Sequence, residues 1–320
     1  MNGTFWLGAT AGSLAAMFLL SGHLSQGTGW RYAFGVGGTL GIVVLILRLS
    51  VPESPRWLML RGHEDDAGRI VDDIENRSSD GKPKEVDQSE GEKLKINVRD
   101  RTPMRDIFRN MAKDNRQRSL LGLVLMVAQA FFFNAVFFSY GLVVKKFFQV
   151  TDRDLPMHLL PFAVASLLGP LILGRLFDKI GRKPMITACY GLAGVLLAAT
   201  LFPFARGILA ARGLGVCFSV IFFVASSAAS AAYLTVSEIF PLEIRAFAIA
   251  IFYALGTLVG GVGAPLLFGF LIATNSRNYV ALGYALGAVL MLAGAICEQF
   301  IGVEAAGKSL EAISKPLQSK

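Results

Sequence analysis

Apolar runs of about twenty residues follow one another at short intervals near 119–144, 159–177, 185–203, 213–237, 246–273 and 279–301. Roughly 20 apolar residues in an α-helix cross the ~30 Å hydrocarbon layer, because a helix satisfies its own backbone N–H and C=O groups. Few soluble folds accommodate six such runs. Two more lie upstream, Gly3 to Leu20 and Ala33 to Leu49, for eight expected spans. The chain is 53% hydrophobic and 17% charged, with mean hydropathy +0.53, whereas a soluble domain carries about 25% charged residues. The expected class is an all-α polytopic membrane protein whose first partner is the lipid bilayer.

The net charge of +8 raises a nucleic-acid partner. No basic face interleaved with base-stacking aromatics lies outside the spans, so that partner is set aside. Orientation in a bilayer explains the excess better. Cys189, Cys217 and Cys297 fall inside apolar runs without metal-ligand or disulfide spacing, and His23, His63 and His158 are scattered. They point to packing, with no metal and no cofactor. There is no Ser/His/Asp set, no HExxH and no pair of carboxylates within a span, which argues against an enzyme.

The link GRLFDKIGRKP, Gly174 to Pro184, joins two long apolar runs. So tight a link requires neighbouring antiparallel helices with the turn at a water interface. Four of its five charges, Arg175, Lys179, Arg182 and Lys183 against Asp178, are positive, which marks a cytoplasmic loop. Gly174 suits close approach of another helix, and Gly181 a turn with positive φ. Asp178 can accept from helix N-terminal amides or pair with an arginine.

Gly3–Leu20 follows Met1 with neither a basic stretch nor a cleavage site, and it reads as a membrane helix lacking its natural beginning. Gly8 and Gly12, then Gly37 and Gly41, are small pairs suited to helix contact. Trp30-Arg31-Tyr32 anchors the second span at an interface, and VPESPRWL ends it with Pro52 and Pro55. The stretch Arg56–Arg118 is highly charged and in near balance. It reads as a solvated linker or as cytoplasmic helices beneath the bundle. Ala67, Ile70, Val71 and Ile74 share one helical side, and Met104, Ile107, Phe108 and Met111 another after Thr102-Pro103 as N-cap and N1. Ser78–Gly91 reads as polar and mobile. An even number of spans puts both termini on the side of the linker and the basic loops, hence in the cytoplasm.

Polar residues inside the spans are the candidates for function, because hydrocarbon gives them no partner. Gln129 and Asn134, five apart, point about 140° from each other on an ideal helix and reach one cavity only where the helix is locally broken. Interhelical hydrogen bonds that merely hold the bundle are the alternative. Phe131, Phe132, Phe133, Phe137 and Phe138 read as lipid-facing or core residues rather than a ligand cage. Ala225–Ala232 is a run of Ala and Ser before Tyr233 that leaves room for a solute. In SEIFPLEIRA, Glu238 and Arg245 flank Pro241, and Glu238 beside the basic loop suggests a latch. An ordinary surface ion pair, worth ~0–1 kcal/mol, is the alternative. Gly256, Gly260, Gly261, Gly263, Pro265 and Gly269 suggest an interrupted helix. Glu298 is a lone acid close to the end of its span.

GRLFDKIGRKP resembles the cytoplasmic loop motif of the major facilitator superfamily. VPESPRWL, SEIFPLEIRA and VEAAGKSLE (Val303–Glu311) follow in the order of sugar-porter motifs after helices six, ten and twelve. The resemblance implies a twelve-helix fold of two halves working by alternating access. Residues 1–50 would be the last two helices of the first half, 51–118 a cytoplasmic linker, 119–303 the complete second half and 304–320 a cytoplasmic tail. Eight helices would be present and the first four missing, together with the usual partners of Glu53 and Arg56 and any proton-coupling residues of the first half.

By the same resemblance Gln129, Asn134 and Tyr233 would bind substrate. Gly174, Asp178, Gly181, Arg182, Lys183, Glu238, Arg245, Glu53, Arg56 and Glu304 would form the cytoplasmic gate. Phe132 replaces a family glycine, and Ala232-Tyr233 stand where Pro-Trp is frequent. These departures favour an organic acid or aromatic metabolite over a hexose. The implied function is secondary active or facilitative transport of a small organic solute across the inner cell membrane, with a proton as the coupling ion. A non-transporting remnant or one chain of a split assembly is the alternative, and the oligomeric state stays open.

Overall fold

The computed structural model describes residues 2–20, 28–78, 103–305, 308, 313 and 314. Secondary structure among them is helical, with no strand. The chain opens with α1 (Asn2–Leu20) and α2 (Gly29–Arg48), followed by the short α3 (Pro55–Leu60) and α4 (Glu64–Ser78). Then come α5 (Met104–Arg109) and a π-helical turn, Asn110–Asp114. A long span is built of α6 (Arg116–Phe133), a π segment Asn134–Phe138 and α7 (Ser139–Phe148). Single helices follow: α8 (Leu155–Lys179), α9 (Arg182–Ala205) and α10 (Ala211–Ile239). The next span combines α11 (Leu242–Gly256), a π segment Thr257–Gly263 and α12 (Ala264–Ala273), and α13 (Arg277–Ile301) closes the bundle.

Packing of small and aromatic residues holds α6–α13 together. Within α6–α13 the heaviest contacts are α13 on α9, α10 on α8 and on α9, and α6 on α13. Tyr140, Phe162, Phe218, Phe222 and Tyr284 are wholly buried at the centre, and the Phe162 and Phe222 rings stack at 5.6 Å. The outer faces carry large exposed apolar side chains such as Leu171, Phe202, Phe270 and Phe300, as a lipid-facing surface requires. Pro161 and Pro170 sit inside α8 and Pro203 inside α9; membrane helices tolerate them because neighbouring groups satisfy the freed carbonyls.

Several expectations change here. Seven helices or helix pairs among the described residues are long and apolar enough to cross a membrane. The eighth expected span corresponds to α1, 19 residues without a charged side chain, some of whose side chains lie outside the described residues. It lies along α8. A Cβ added at Gly8, Gly12, Gly37, Gly41 or Gly174 would meet nothing within 4 Å, so no close helix contact forms there among the described residues. The α2 helix is exposed from Trp30 to Arg48. In α4 only Ala67 of the expected apolar side is buried, while Val71 and Ile74 are exposed. Met104 and Phe108 are likewise exposed, whereas Ile107 and Met111 are buried. Thr102, most of Ser78–Gly91 and part of VEAAGKSLE lie outside the described residues.

Candidate functional site

Where α6 gives way to its π segment, a cavity of about 370 Å³ opens. Gln129, Ala130, Phe133, Asn134, Phe137 and Phe138 line one side. The others are lined by Ala229 and Tyr233 of α10, Tyr253, Thr257 and Gly261 of the α11 span, and Phe5 and Trp6 of α1.

A π-helical insertion rotates the residues that follow it relative to an ideal α-helix, and such insertions recur at functional sites. Here one begins at Asn134, and the amides five apart end on one cavity. Hydrogen bonds bracket the insertion: Asn134 Nδ2 donates to the Ala130 carbonyl at 2.7 Å, and Ser139 Oγ donates to the Ala135 carbonyl. Gln129 is 5% exposed. Its Nε2 donates to Met126 Sδ at 3.3 Å, a weak acceptor, and the Tyr233 hydroxyl faces the same carboxamide.

The glycines of the α11 span explain how that span comes so near. A Cβ on Gly260 would sit 2.2 Å from the Ala130 carbonyl carbon, and one on Gly256 2.9 Å from the Met126 carbonyl oxygen. Backbone lies on backbone there, which only glycine permits. This brings Tyr253 and Thr257 to the cavity, and the Tyr233 and Tyr253 rings stand 6.3 Å apart.

The phenylalanines divide. Phe131 and Phe132 are core, Phe133 and Phe137 pack against it and Phe138 is exposed, and the last three also line the cavity. Trp6 packs against Phe133 and Phe137 at 5.5 and 5.6 Å. Sequence reasoning missed Trp6, Tyr253 and Thr257; periodicity marks Trp6 and Tyr253 as ordinary apolar positions, and only the glycines beside Thr257 hint at close approach.

At one end of the bundle the basic turn meets acids. Arg182 Nη1 pairs with Glu238 Oε2, the two side chains being 19% and 15% exposed. Gly181 has φ 113°, and an added Cβ would meet Glu304 Oε2 at 2.6 Å. Glu304 accepts from the backbone N–H of Arg182 at 2.9 Å and of Lys183 at 3.2 Å. It thus caps α9, where carboxylates are favoured by the unpaired amides and the helix dipole. The sequence offered Asp178 either for that task or as partner to an arginine. Instead Asp178 is exposed and lines a small pocket of about 160 Å³ with Arg182, Ser227 and Ser230. Arg245 Nη2 donates to the Phe240 carbonyl at 3.3 Å, and Arg118 reaches the Ile239 and Ile313 carbonyls at 2.8 and 2.9 Å. Glu53, just before α3, and Arg56 within it are exposed.

At the other end, Arg277 Nη2 donates to the Phe147 carbonyl at 3.0 Å, and its guanidinium lies 4.6 Å from the Phe148 ring centroid and 6.0 Å from that of Phe204. Glu298, near the Arg182 end of α13, is wholly buried, and neither carboxyl oxygen accepts a hydrogen bond among the described residues. No group of three or more His, Cys, Asp or Glu capable of holding a metal occurs among them.

The family described as sugar (and other) transporter matches residues 1–317. The Escherichia coli K12 D-xylose-proton symporter is 30% identical over 229 residues, covering 70% of this chain and 43% of that protein. The Acinetobacter baylyi niacin transporter NiaP is 27% identical over 322 residues, covering 97% of this chain and 66% of that protein. Among solved structures, the major facilitator superfamily proton:xylose symporter XylE bound to 6-bromo-6-deoxy-D-glucose aligns with TM-score 0.70 at 21% identity, covering 98% of this chain and 65% of that one. The chain spans less than two-thirds of the length of each of these proteins, all described as transporters and none as an enzyme. The chain belongs to the sugar (and other) transporter family, and its helices form an all-α polytopic membrane bundle of the major facilitator type.

Proposed function

We propose that the chain serves transmembrane transport of a small organic solute, whether sugar, organic acid or aromatic metabolite, by alternating access. The observation that carries this reading is the π insertion at Asn134, which turns Gln129 and Asn134 onto one cavity shared with Tyr233. Those three side chains contact the solute. The Arg182–Glu238 pair and the Glu304 cap form a latch at the cytoplasmic end, with Asp178, Lys183 and Arg245 beside it and Glu53 and Arg56 nearby in sequence to the linker. Both termini face the cytoplasm, the membrane is the inner cell membrane, and a proton is the coupling ion. Opening the latch exposes the cavity to one side, and rocking of the bundle exposes it to the other.

Uptake of a labelled solute panel into cells expressing the chain tests this. Uptake above empty-vector cells, lowered at least tenfold by Gln129→Ala and by Arg182→Ala, is expected. No uptake of any member at confirmed membrane expression counts against it. A second reading, a membrane module that acts with another chain, is favoured by the exposure of α2 from Trp30 to Arg48. Co-purification of a second membrane protein with the chain, with uptake only when both are present, would select it.

A further inference from the structure

The cavity is chemically two-sided, and this limits its occupant. Where α1 meets the α6 span the wall is aromatic: Phe5, Trp6, Phe133, Phe137 and Phe138. Where α6, α10 and α11 converge it is polar but uncharged: Gln129, Asn134, Tyr233, Tyr253 and Thr257. None of the described lining residues is Lys, Arg, His, Asp or Glu. The amide nitrogen of Asn134 is engaged by the Ala130 carbonyl, which leaves its Oδ1 as acceptor. Gln129 donates to a sulfur, a partner readily exchanged for a better one.

Each candidate solute class can be matched to these walls. An organic acid would bring a carboxylate into a cavity with no cation among its described lining residues, and a buried charge without a partner is strongly disfavoured. A hexose carries hydroxyls round its whole rim, and those turned toward Trp6 and Phe133 would lose their hydrogen bonds to water with no replacement. A planar aromatic ring matches the aromatic side by offset or edge contacts. A neutral donor–acceptor edge on that ring matches the carboxamide and hydroxyls opposite.

Resting on the transport reading for its location, we infer that this cavity is a binding site for an uncharged aromatic or heteroaromatic solute bearing one hydrogen-bonding edge, such as a primary amide. The ring lies against Trp6 and Phe133. The edge exchanges hydrogen bonds with Gln129 and Tyr233. Selectivity comes from what the walls lack as much as from what they supply.

Trp6 is 3% exposed within the wall, and the other two tryptophans, Trp30 and Trp57, are exposed. The full chain carrying Trp30→Phe and Trp57→Phe, held in lipid nanodiscs, therefore reports on the cavity through one fluorophore. Four probes separate the terms: benzamide, benzoate, cyclohexanecarboxamide and D-glucose. The expected result is a saturable change in Trp6 emission with benzamide at a Kd at least tenfold below those of the other three. Saturation-transfer NMR on the unsubstituted chain should give the same order. Phe133→Leu should weaken benzamide at least threefold.

A tighter or equal response to benzoate, to cyclohexanecarboxamide or to glucose overturns the inference, as does no saturable response to any probe. Because binding is read without uptake, the two readings fail separately. Binding of benzamide with no transport removes only the transport reading, whereas uptake of a hexose with no benzamide binding removes only this one.

Discussion

The two ends of the bundle are fastened by different physics. At the Arg182 end, a guanidinium, two carboxylates and two backbone amides converge on the turn between α8 and α9. At the Arg277 end, one guanidinium sits among the rings of Phe147, Phe148 and Phe204 and donates to a carbonyl, with no carboxylate bonded to it among the described residues. The first fastening depends on paired charges and on a carboxylate at helix amides. The second depends on packing and on ring quadrupoles, which ions in solution barely touch. One end is thus fastened by paired charge, and the other by packing.

Breaking the Arg182 end should have the largest effect. Glu238→Ala leaves a mostly buried guanidinium without its carboxylate and should cost about 2–4 kcal/mol, below the upper range for fully buried pairs because water reaches both groups. Equilibrium unfolding in detergent reads it, and Glu238→Gln should cost less. Unchanged stability in the alanine variant would show that the pair does not fasten this end. Next comes Arg277→Leu, expected to cost about 1–3 kcal/mol from one carbonyl hydrogen bond and the ring contacts. The loss should be nearly the same in 0.1 and 1 M salt, and a large salt dependence would erase the contrast between the ends.

Glu304→Ala removes the α9 cap, for about 1 kcal/mol. Its effect should shrink in 1 M salt, where the Debye length falls from about 10 to 3 Å; a salt-independent loss would argue for packing instead. Smallest is Asp152→Asn, which breaks an exposed pair with Lys145 and should change stability by no more than about 0.5 kcal/mol. A larger change would mean that exposed charge also matters at the far end.

The helices were legible because apolar runs are long and their breaks are chemically loud. The run expected at 185–203 is α9, and its start is set by Gly181 and the basic pair behind it. The π insertion at Asn134 had no such mark. Nothing in FFFNAVFF distinguishes one extra residue per turn from a regular helix, since the signal lies in backbone hydrogen bonding rather than in side-chain type. The sequence said that Gln129 and Asn134 would share a cavity only across a break, but the break itself had to be seen.

The Glu304 cap illustrates the same gap. Asp178 lies four residues from Arg182 and was open to either those amides or an arginine, whereas the carboxylate on those amides comes from more than a hundred residues away. Only the tertiary fold decides between them. The glycines of the α11 span were read as a place where a helix gives way, and they also prove to be where one backbone rests on another.

That seat carries a mechanical consequence. With Gly256 and Gly260 pressed on Met126 and Ala130, no side chain cushions the contact, so the two rods cannot slide past one another without collision. Tilting either one steers its neighbour. Gln129 and Tyr253, carried on opposite members of this couple, keep their spacing through such a swing, and whatever they grip would travel as cargo in a fixed jaw rather than being handed across.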